Sequence, residues 1–214
     1  MKAKYIIFDF DGTLADSKAI FFNLYNEMAT QKGYKLLDAE NLLFLRNFTI
    51  AERCAYLGIP MYRLPFIAGS LFRKFYNSVP LLQFNPGMKE LLAWLDSEGY
   101  TYYIASSNAK KNIRAFFDIQ GLTAPEIFSS DRIFGKDRLL RKILKLKKLQ
   151  PADVVYIGDE VRDSISCHEC AIPFVWVSWG YDTAEAMAES PPDYSVYTPD
   201  ALQKLIKELV SAQG

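Results

Sequence analysis

The sequence predicts an α/β protein: a three-layer, doubly wound parallel sheet interrupted by one all-helical insert. Three observations carry this. Tyr5–Phe8, Tyr102–Ala105 and Val154–Ile157 are short, unbroken apolar runs rich in β-formers, the pattern of strands buried on both faces of a parallel sheet. Segments with apolar residues at helical spacing separate the later strands, so strand and helix alternate along the chain. Residues 16–83 hold helical patterns only, more than a single βα crossover usually contains.

The elements follow in order. After the first strand, Asp16 or Ser17 can cap a helix with Ile20, Phe21, Leu24, Tyr25 and Met28 on one face and Gly33 as its stop. A short helix spans Asp38 to Arg46. Thr49 and Glu52 form a capping-box pair for a third helix that ends at Gly58-Ile59-Pro60. A fourth begins near Pro65 and runs to about Asn77, with Ile67, Leu71, Phe72 and Phe75 as its stripe. The insert therefore sits over the strand that precedes it. Asn85 can cap the next helix, with Pro86 in its first position and Met88, Leu91, Leu92 and Leu95 facing inward to Gly99. The strand at Tyr102 leads to a helix through Ile113, Phe116 and Phe117. A short strand follows at Glu126–Phe128, then a helix from Gly135-Lys136 to about Leu149. After Val154–Ile157 come a helix from about Arg162 to Cys170, a strand at Phe174–Val177 and a short strand at Tyr194–Tyr197. A closing helix is capped at Thr198-Pro199-Asp200.

Three strands end in polar clusters. The first gives Asp9 and Asp11, which point to the same side of an extended chain. Two such anions repel unless a cation lies between them. The second gives Ser106 and Ser107, the third Gly158-Asp159-Glu160-Val161-Arg162-Asp163. Parallel strands bring these ends to one edge, where open α/β sheets bind ligands. Lys136 adds a cation at a helix start. Carboxylates, a hydroxyl and an ammonium are what phosphoryl transfer on Mg²⁺ requires.

Asp-Phe-Asp-Gly-Thr-Leu at 9–14, the apolar run into Ser106, Lys136, and Gly-Asp-Glu-x-x-Asp at 158–163 resemble the four ordered motifs of the haloacid dehalogenase superfamily. The likeness spans the chain. The helical insert, Asn85-Pro86-Gly87 and Val177–Tyr181 resemble its phosphoglycolate-phosphatase-like branch with a C1 cap. The resemblance implies a Rossmann-like core from residues 1–15 and 84–214 and a helical cap from 16–83. It implies Asp9 as nucleophile through an aspartyl-phosphate, and Asp11 as general acid and base. Mg²⁺ would be held by Asp9, the backbone carbonyl of Asp11 and Asp159, with Asp163 in support. Ser106 and Lys136 would hold phosphoryl oxygens, with the N–H groups of Phe10 and Ser107 as further donors. Ser107 is the alternative hydroxyl. Arg46 is a candidate for an anionic substrate group, or else faces solvent, and Glu160 is either a ligand or an exposed acid.

Departures favour phosphomonoester hydrolysis and leave a phosphomutase of the same fold as an alternative. Dehalogenases and phosphonate-cleaving relatives lack an acid at the position of Asp11. Sugar phosphomutases carry a His on the first cap helix, where this chain reads Ala19-Ile20-Phe21-Phe22 and where its single His, His168, is absent. A catalytically silent binding protein is the other alternative. Cys167-His168-Glu169-Cys170 has no second ligand pair and reads as structural. The basic stretch Lys136–Lys148 reads as an amphipathic helix with a solvated face, and Trp176 and Trp179 as packing.

The bulk numbers agree. The chain has 214 residues, with 25 acidic and 25 basic side chains, so no global field favours nucleic acid or an anionic membrane. Three cysteines imply no disulfide framework. With no signal-like segment or membrane-spanning run, the expectation is a cytoplasmic monomer or homodimer acting on a small phosphorylated metabolite.

Overall fold

A computed structural model of the chain describes residues 3–130 and 135–211. Phe134, in the run before Lys136, lies outside the described residues. Among the described residues, six strands form one parallel sheet in the order β3-β2-β1-β4-β5-β6. They are β1 (Tyr5–Phe8), β2 (Thr101–Ser106), β3 (Glu126–Ser129), β4 (Val154–Gly158), β5 (Phe174–Val177) and β6 (Tyr194–Val196). β1 is central, with Phe8 opposite Ile104 of β2 on one side and Ile157 of β4 on the other. Both neighbours therefore end level with the start of the Asp9-Phe10-Asp11 segment, and the Asp9 N–H extends the ladder to the Ile157 carbonyl at 2.8 Å.

Helices cover both faces, as buried apolar strands require. On one side Ile6 and Phe8 pack with α5 (Met88–Ser97), α6 (Lys110–Ile119) and α9 (Pro199–Leu209). On the other, Ile7 and Tyr156 pack with α7 (Lys136–Lys147) and α8 (Val161–Glu169). Between β1 and α5 lie α1 (Lys18–Lys32), α2 (Ala39–Leu45), α3 (Ile50–Leu57) and α4 (Leu64–Phe75). Tyr25, Met28, Leu45, Cys54, Leu57, Ile59 and Leu64 give this insert a small core of its own. Its root is shared: Ile20, Leu24, Phe75, Val79 and Leu82 belong to the cluster on the sheet.

The local signals hold at most ends. Asp38 and Thr49 make reciprocal capping boxes with Asn41 and Glu52, and Gly33 and Gly58 close α1 and α3 in the left-handed conformation. Three details differ. α4 stops at Phe75 and a 3₁₀ turn, Tyr76–Leu81, carries the chain back. Ser17 sits at the start of α1 but makes no cap bond; its hydroxyl meets the Tyr181 hydroxyl at 2.9 Å. Asn85 is not a cap either. α5 starts at Met88 behind Gly87 (φ 81°), and the Asn85 amide donates to the carbonyls of Gly12 (2.9 Å) and Thr13 (3.0 Å). A local helix signal is thus overridden by the need to satisfy two buried carbonyls in the turn after β1.

Candidate active site

The strand ends converge. Lys136, buried at the start of α7, donates to Asp9 Oδ2 at 2.8 Å and also to Asp163 Oδ1. Asp9, Asp159 and Asp163 are all buried, and a carboxylate oxygen from each lies within 4.8 Å of the others. Asp9 Oδ1 accepts the Phe10 N–H at 2.7 Å. Asp159 is fixed on both oxygens: Oδ1 accepts from the Thr13 hydroxyl and Oδ2 from the Tyr181 N–H, each at 2.7 Å. Backbone packs tightly over it. A Cβ on Gly180 would come within 2.1 Å of Asp159 Cβ, and one on Gly12 within 2.3 Å of its Oδ2.

Asp11 stands beside this trio. Its Oδ2 accepts from Asn108 Nδ2 at 2.9 Å, while Oδ1 is buried without a hydrogen-bond partner. Burial first, and then the Asp9 charge, push its carboxyl up to about 7 against the hydrogen bonds of Asn108 and Ser17. Asp11 is thus able to carry a proton near neutral pH. Burial also lifts Asp163 to about 7, with Lys136 opposing and Asp9 and Glu160 adding. Asp159 is raised well above the usual carboxylate range by burial and by the Glu160 and Asp9 charges. Several buried carboxylates share one ammonium, so negative charge is in excess.

Ser106, the last residue of β2, accepts the Asn108 N–H on its hydroxyl at 3.0 Å. The Ser107 hydroxyl accepts from Arg162 Nη1 at 3.1 Å. Glu160 is neither a member of the carboxylate trio nor an exposed acid. It is buried and ion-paired with Arg162. Burial opposes its ionisation, but the Arg162 charge and hydrogen bond outweigh that and hold it below its usual value.

The site opens into a cavity of about 240 Å³ lined by Asp9, Asp11, Ser106, Ser107, Glu160 and Arg162 at one end and by residues of the insert at the other. Arg46 is not among the lining residues of this cavity; it lines an adjoining one of about 700 Å³ that shares Phe21, Leu57 and Leu71 with it. The expectation that it faces substrate is not met, because Nε donates to the Tyr181 carbonyl and Nη2 to the Gly180 carbonyl, both at 3.0 Å. Two carbonyls of the loop after β5, far away in the chain, thus hold Nε and Nη2 of the guanidinium. The neighbouring α3 residue Arg53 lines the cavity and pairs with Asp182. Among the predicted residues, then, Asp9, Asp11, Ser106, Ser107, Lys136, Asp159 and Asp163 are gathered and Arg46 is not.

Residues that sequence reasoning assigned no role include Asn108, Thr13, Tyr181 and Asp182. Asn108 and Thr13 stand inside the motifs themselves, which was the available signal. Asp182 accepts the Val161 N–H at 2.8 Å from a distant loop, and nothing in its local sequence announces that. Trp176 and Trp179 do pack structurally: their indole N–H groups donate to the carbonyls of Asp159 (3.2 Å) and Thr13 (3.0 Å). His168 is exposed, meets Ser190 at 3.2 Å and does not line the cavity, and Cys167 and Cys170 are buried free thiols. No helix among the described residues is long and apolar enough to cross a membrane.

Comparison with known proteins points the same way. Residues 6–177 match the family model described as haloacid dehalogenase-like hydrolase. A phosphoglycolate phosphatase of Synechococcus elongatus is 31% identical over 207 residues, covering 96% of this chain and 98% of that protein. Hexitol phosphatase A of Escherichia coli is 28% identical over 80% of this chain and 84% of its own length. Among solved structures, a predicted phosphatase from Clostridium acetobutylicum superposes with a TM-score of 0.79 at 20% identity, covering 98% of this chain and 100% of that one. At that identity the superposition speaks for the fold.

Proposed function

The chain belongs to the haloacid dehalogenase-like hydrolases as a phosphatase, and we propose that it hydrolyses a small phosphomonoester with Mg²⁺ through an aspartyl-phosphate on Asp9. The observation that carries this is the buried Asp9–Asp159–Asp163 trio beside a carboxyl, Asp11, poised to hold a proton. The trio suits Mg²⁺: it offers hard oxygen donors from three carboxylates, close together and in excess of the nearby positive charge. Asp9, Asp159 and the Asp11 carbonyl would hold the ion, with Asp163 in support. When bound it supplies positive charge to offset these carboxylates and the phosphoryl oxygens.

The chain's own residues do the rest. The Asp9 carboxylate attacks phosphorus while Asp11 gives its proton to the departing alkoxide. That forms ROH and the Asp9 phosphate. Asp11, now ionised, takes a proton from water, whose oxygen attacks phosphorus and restores Asp9. The sum is R–O–PO₃²⁻ + H₂O → ROH + HPO₄²⁻. The orphan oxygen of Asp11 is the group that meets the leaving oxygen and then the water. Lys136, Ser106, Ser107 and the Phe10 N–H are the donors to the phosphoryl oxygens. Residues 16–83 act as a cap whose closure over the core, 1–15 and 84–214, excludes water.

The test is phosphate release from p-nitrophenyl phosphate. Release is expected to stop on chelation of divalent ions and return with Mg²⁺. Asp9→Asn is expected to lower kcat by about 10⁴ or more, as loss of a nucleophile does elsewhere. Undiminished release by Asp9→Asn, or in excess chelator, overturns the reading.

A further inference from the structure

We propose that the part of the substrate beyond its phosphate is apolar: a phosphomonoester of a short aliphatic or aromatic alcohol. The inference rests on the phosphatase reading above and concerns the other end of the same cavity. That end is walled by Phe21, Leu57, Ile59, Leu64, Leu71 and Phe72. Its polar exceptions are already engaged. The Tyr25 hydroxyl donates to the Lys35 carbonyl at 2.7 Å, and the Tyr181 hydroxyl is bonded to Ser17. Arg53 is committed to Asp182 and to the carbonyls of Leu45 (2.9 Å) and Arg46 (3.3 Å). Arg162 is committed to Glu160 and Ser107. Both guanidinium groups that line the cavity are thus matched by a carboxylate of the protein.

A second carboxylate on the substrate, such as phosphoglycolate carries, would lose its water against aliphatic walls, and the two cations that line this cavity are already paired with carboxylates of the protein. A hydroxylated body would leave its oxygens unpaired for the same reason. An apolar body gains from the same walls. Size is consistent: an apolar cavity of about 150 Å³ admits benzene, so the space present here takes a phosphoryl group and a ring or short chain. The relatives named phosphoglycolate phosphatases would then share the carboxylate end of the pocket with this chain and differ at the apolar end.

The experiment uses the purified full-length protein with Mg²⁺ and a series of esters whose leaving groups are all primary alkoxides: methyl, ethyl, n-propyl and n-butyl phosphate, with 2-phosphoglycolate alongside. The expected result is a rise in kcat/KM of about fourfold per added methylene, with n-butyl phosphate at least about tenfold better than 2-phosphoglycolate. A flat or falling series, or a preference for 2-phosphoglycolate, overturns the inference and leaves the phosphatase reading standing. No release from any of the esters or from p-nitrophenyl phosphate overturns both. Leu71→Gln, at a half-buried position on the cavity wall, should lower kcat/KM for n-butyl phosphate severalfold more than for methyl phosphate. An equal loss on the two esters counts against the apolar wall.

Discussion

The two ends of one cavity are built on opposite rules. The end at the sheet is lined by buried groups that proteins rarely bury, Asp9, Asp11, Glu160 and Ser106, and backed by three more, Asp159, Asp163 and Lys136. Each is held by a named partner, because an unpaired charge there would be expensive. The end under the insert is made of ordinary apolar side chains, several of them only half-buried, with no partners to satisfy. The first end fixes what reaction is possible, since charge must be placed in advance to stabilise a phosphoryl transition state. The second fixes which molecule is brought to it. Substitutions at the sheet end should therefore act on kcat and on metal activation, and those under the insert on discrimination between substrates.

The largest departure within that scheme should come from Lys136→Met. It removes the ammonium that Asp9 and Asp163 share while keeping the side chain's bulk. We expect kcat to fall by about 10²–10³, the loss typical of one oxyanion donor. Stability should fall as well, because breaking a buried pair leaves its acids uncompensated, at a cost of about 3–5 kcal/mol. The sign of the ion's effect is the sharper test. Mg²⁺ should restore part of the lost thermal stability of this variant, since it replaces the missing positive charge. If thermal unfolding is indifferent to Mg²⁺, the trio is not the ion's site.

A pair of glycines compares the two regions by a smaller effect. Gly180→Ala places a methyl group against Asp159, whose carboxylate must move. We expect the Mg²⁺ concentration for half-activation to rise about 10- to 100-fold, as when a supporting residue of a metal site is lost. Gly58→Ala, at φ 73° with nothing within 4 Å of the added carbon, meets only backbone strain. It should lower stability by about 1–2 kcal/mol and leave half-activation by Mg²⁺ unchanged. Equal metal sensitivity in both variants would mean that Gly180 acts through general destabilisation.

The contrast also explains what was legible beforehand. Asp9, Asp11 and Asp159 announced themselves because acids directly after an unbroken apolar strand have no packing reason to be there. The capping boxes at Asp38 and Thr49 were legible because their partners sit three residues away. Lys136 was legible as a cation opening a helix, but only the resemblance gave it a phosphoryl oxygen to hold, since a lysine at the start of an amphipathic helix looks like any solvated one. Asn85 was misread because its true acceptors lie 72 and 73 residues back in the chain. The apolar wall was hidden for a different reason. Ile67, Leu71 and Phe72 were expected as a buried stripe, and they are half-exposed because they face the cavity. Helical periodicity registers that a face is apolar, and a pocket wall and a core have the same period.

Arg46→Ala gives the smallest expected effect and bears most directly on the boundary between the two regions. Arg46 ties the end of α2 to the loop after β5, at the peptides of Gly180 and Tyr181. The Tyr181 peptide in turn gives its N–H to Asp159. Loss of the guanidinium should loosen that loop without emptying either end of the cavity. The expected outcome is a rise of about threefold to tenfold in the Mg²⁺ concentration for half-activation, the size of one to two net hydrogen bonds. The ratio of kcat/KM between n-butyl phosphate and 2-phosphoglycolate should stay the same, because Arg46 touches neither. If Arg46 instead met an anionic substrate group directly, the variant would lose activity selectively on 2-phosphoglycolate and keep its metal response. That outcome would mean that substrate reaches the adjoining cavity that Arg46 lines with Phe21, Leu57 and Leu71, and the division of labour between the two ends would fail with it.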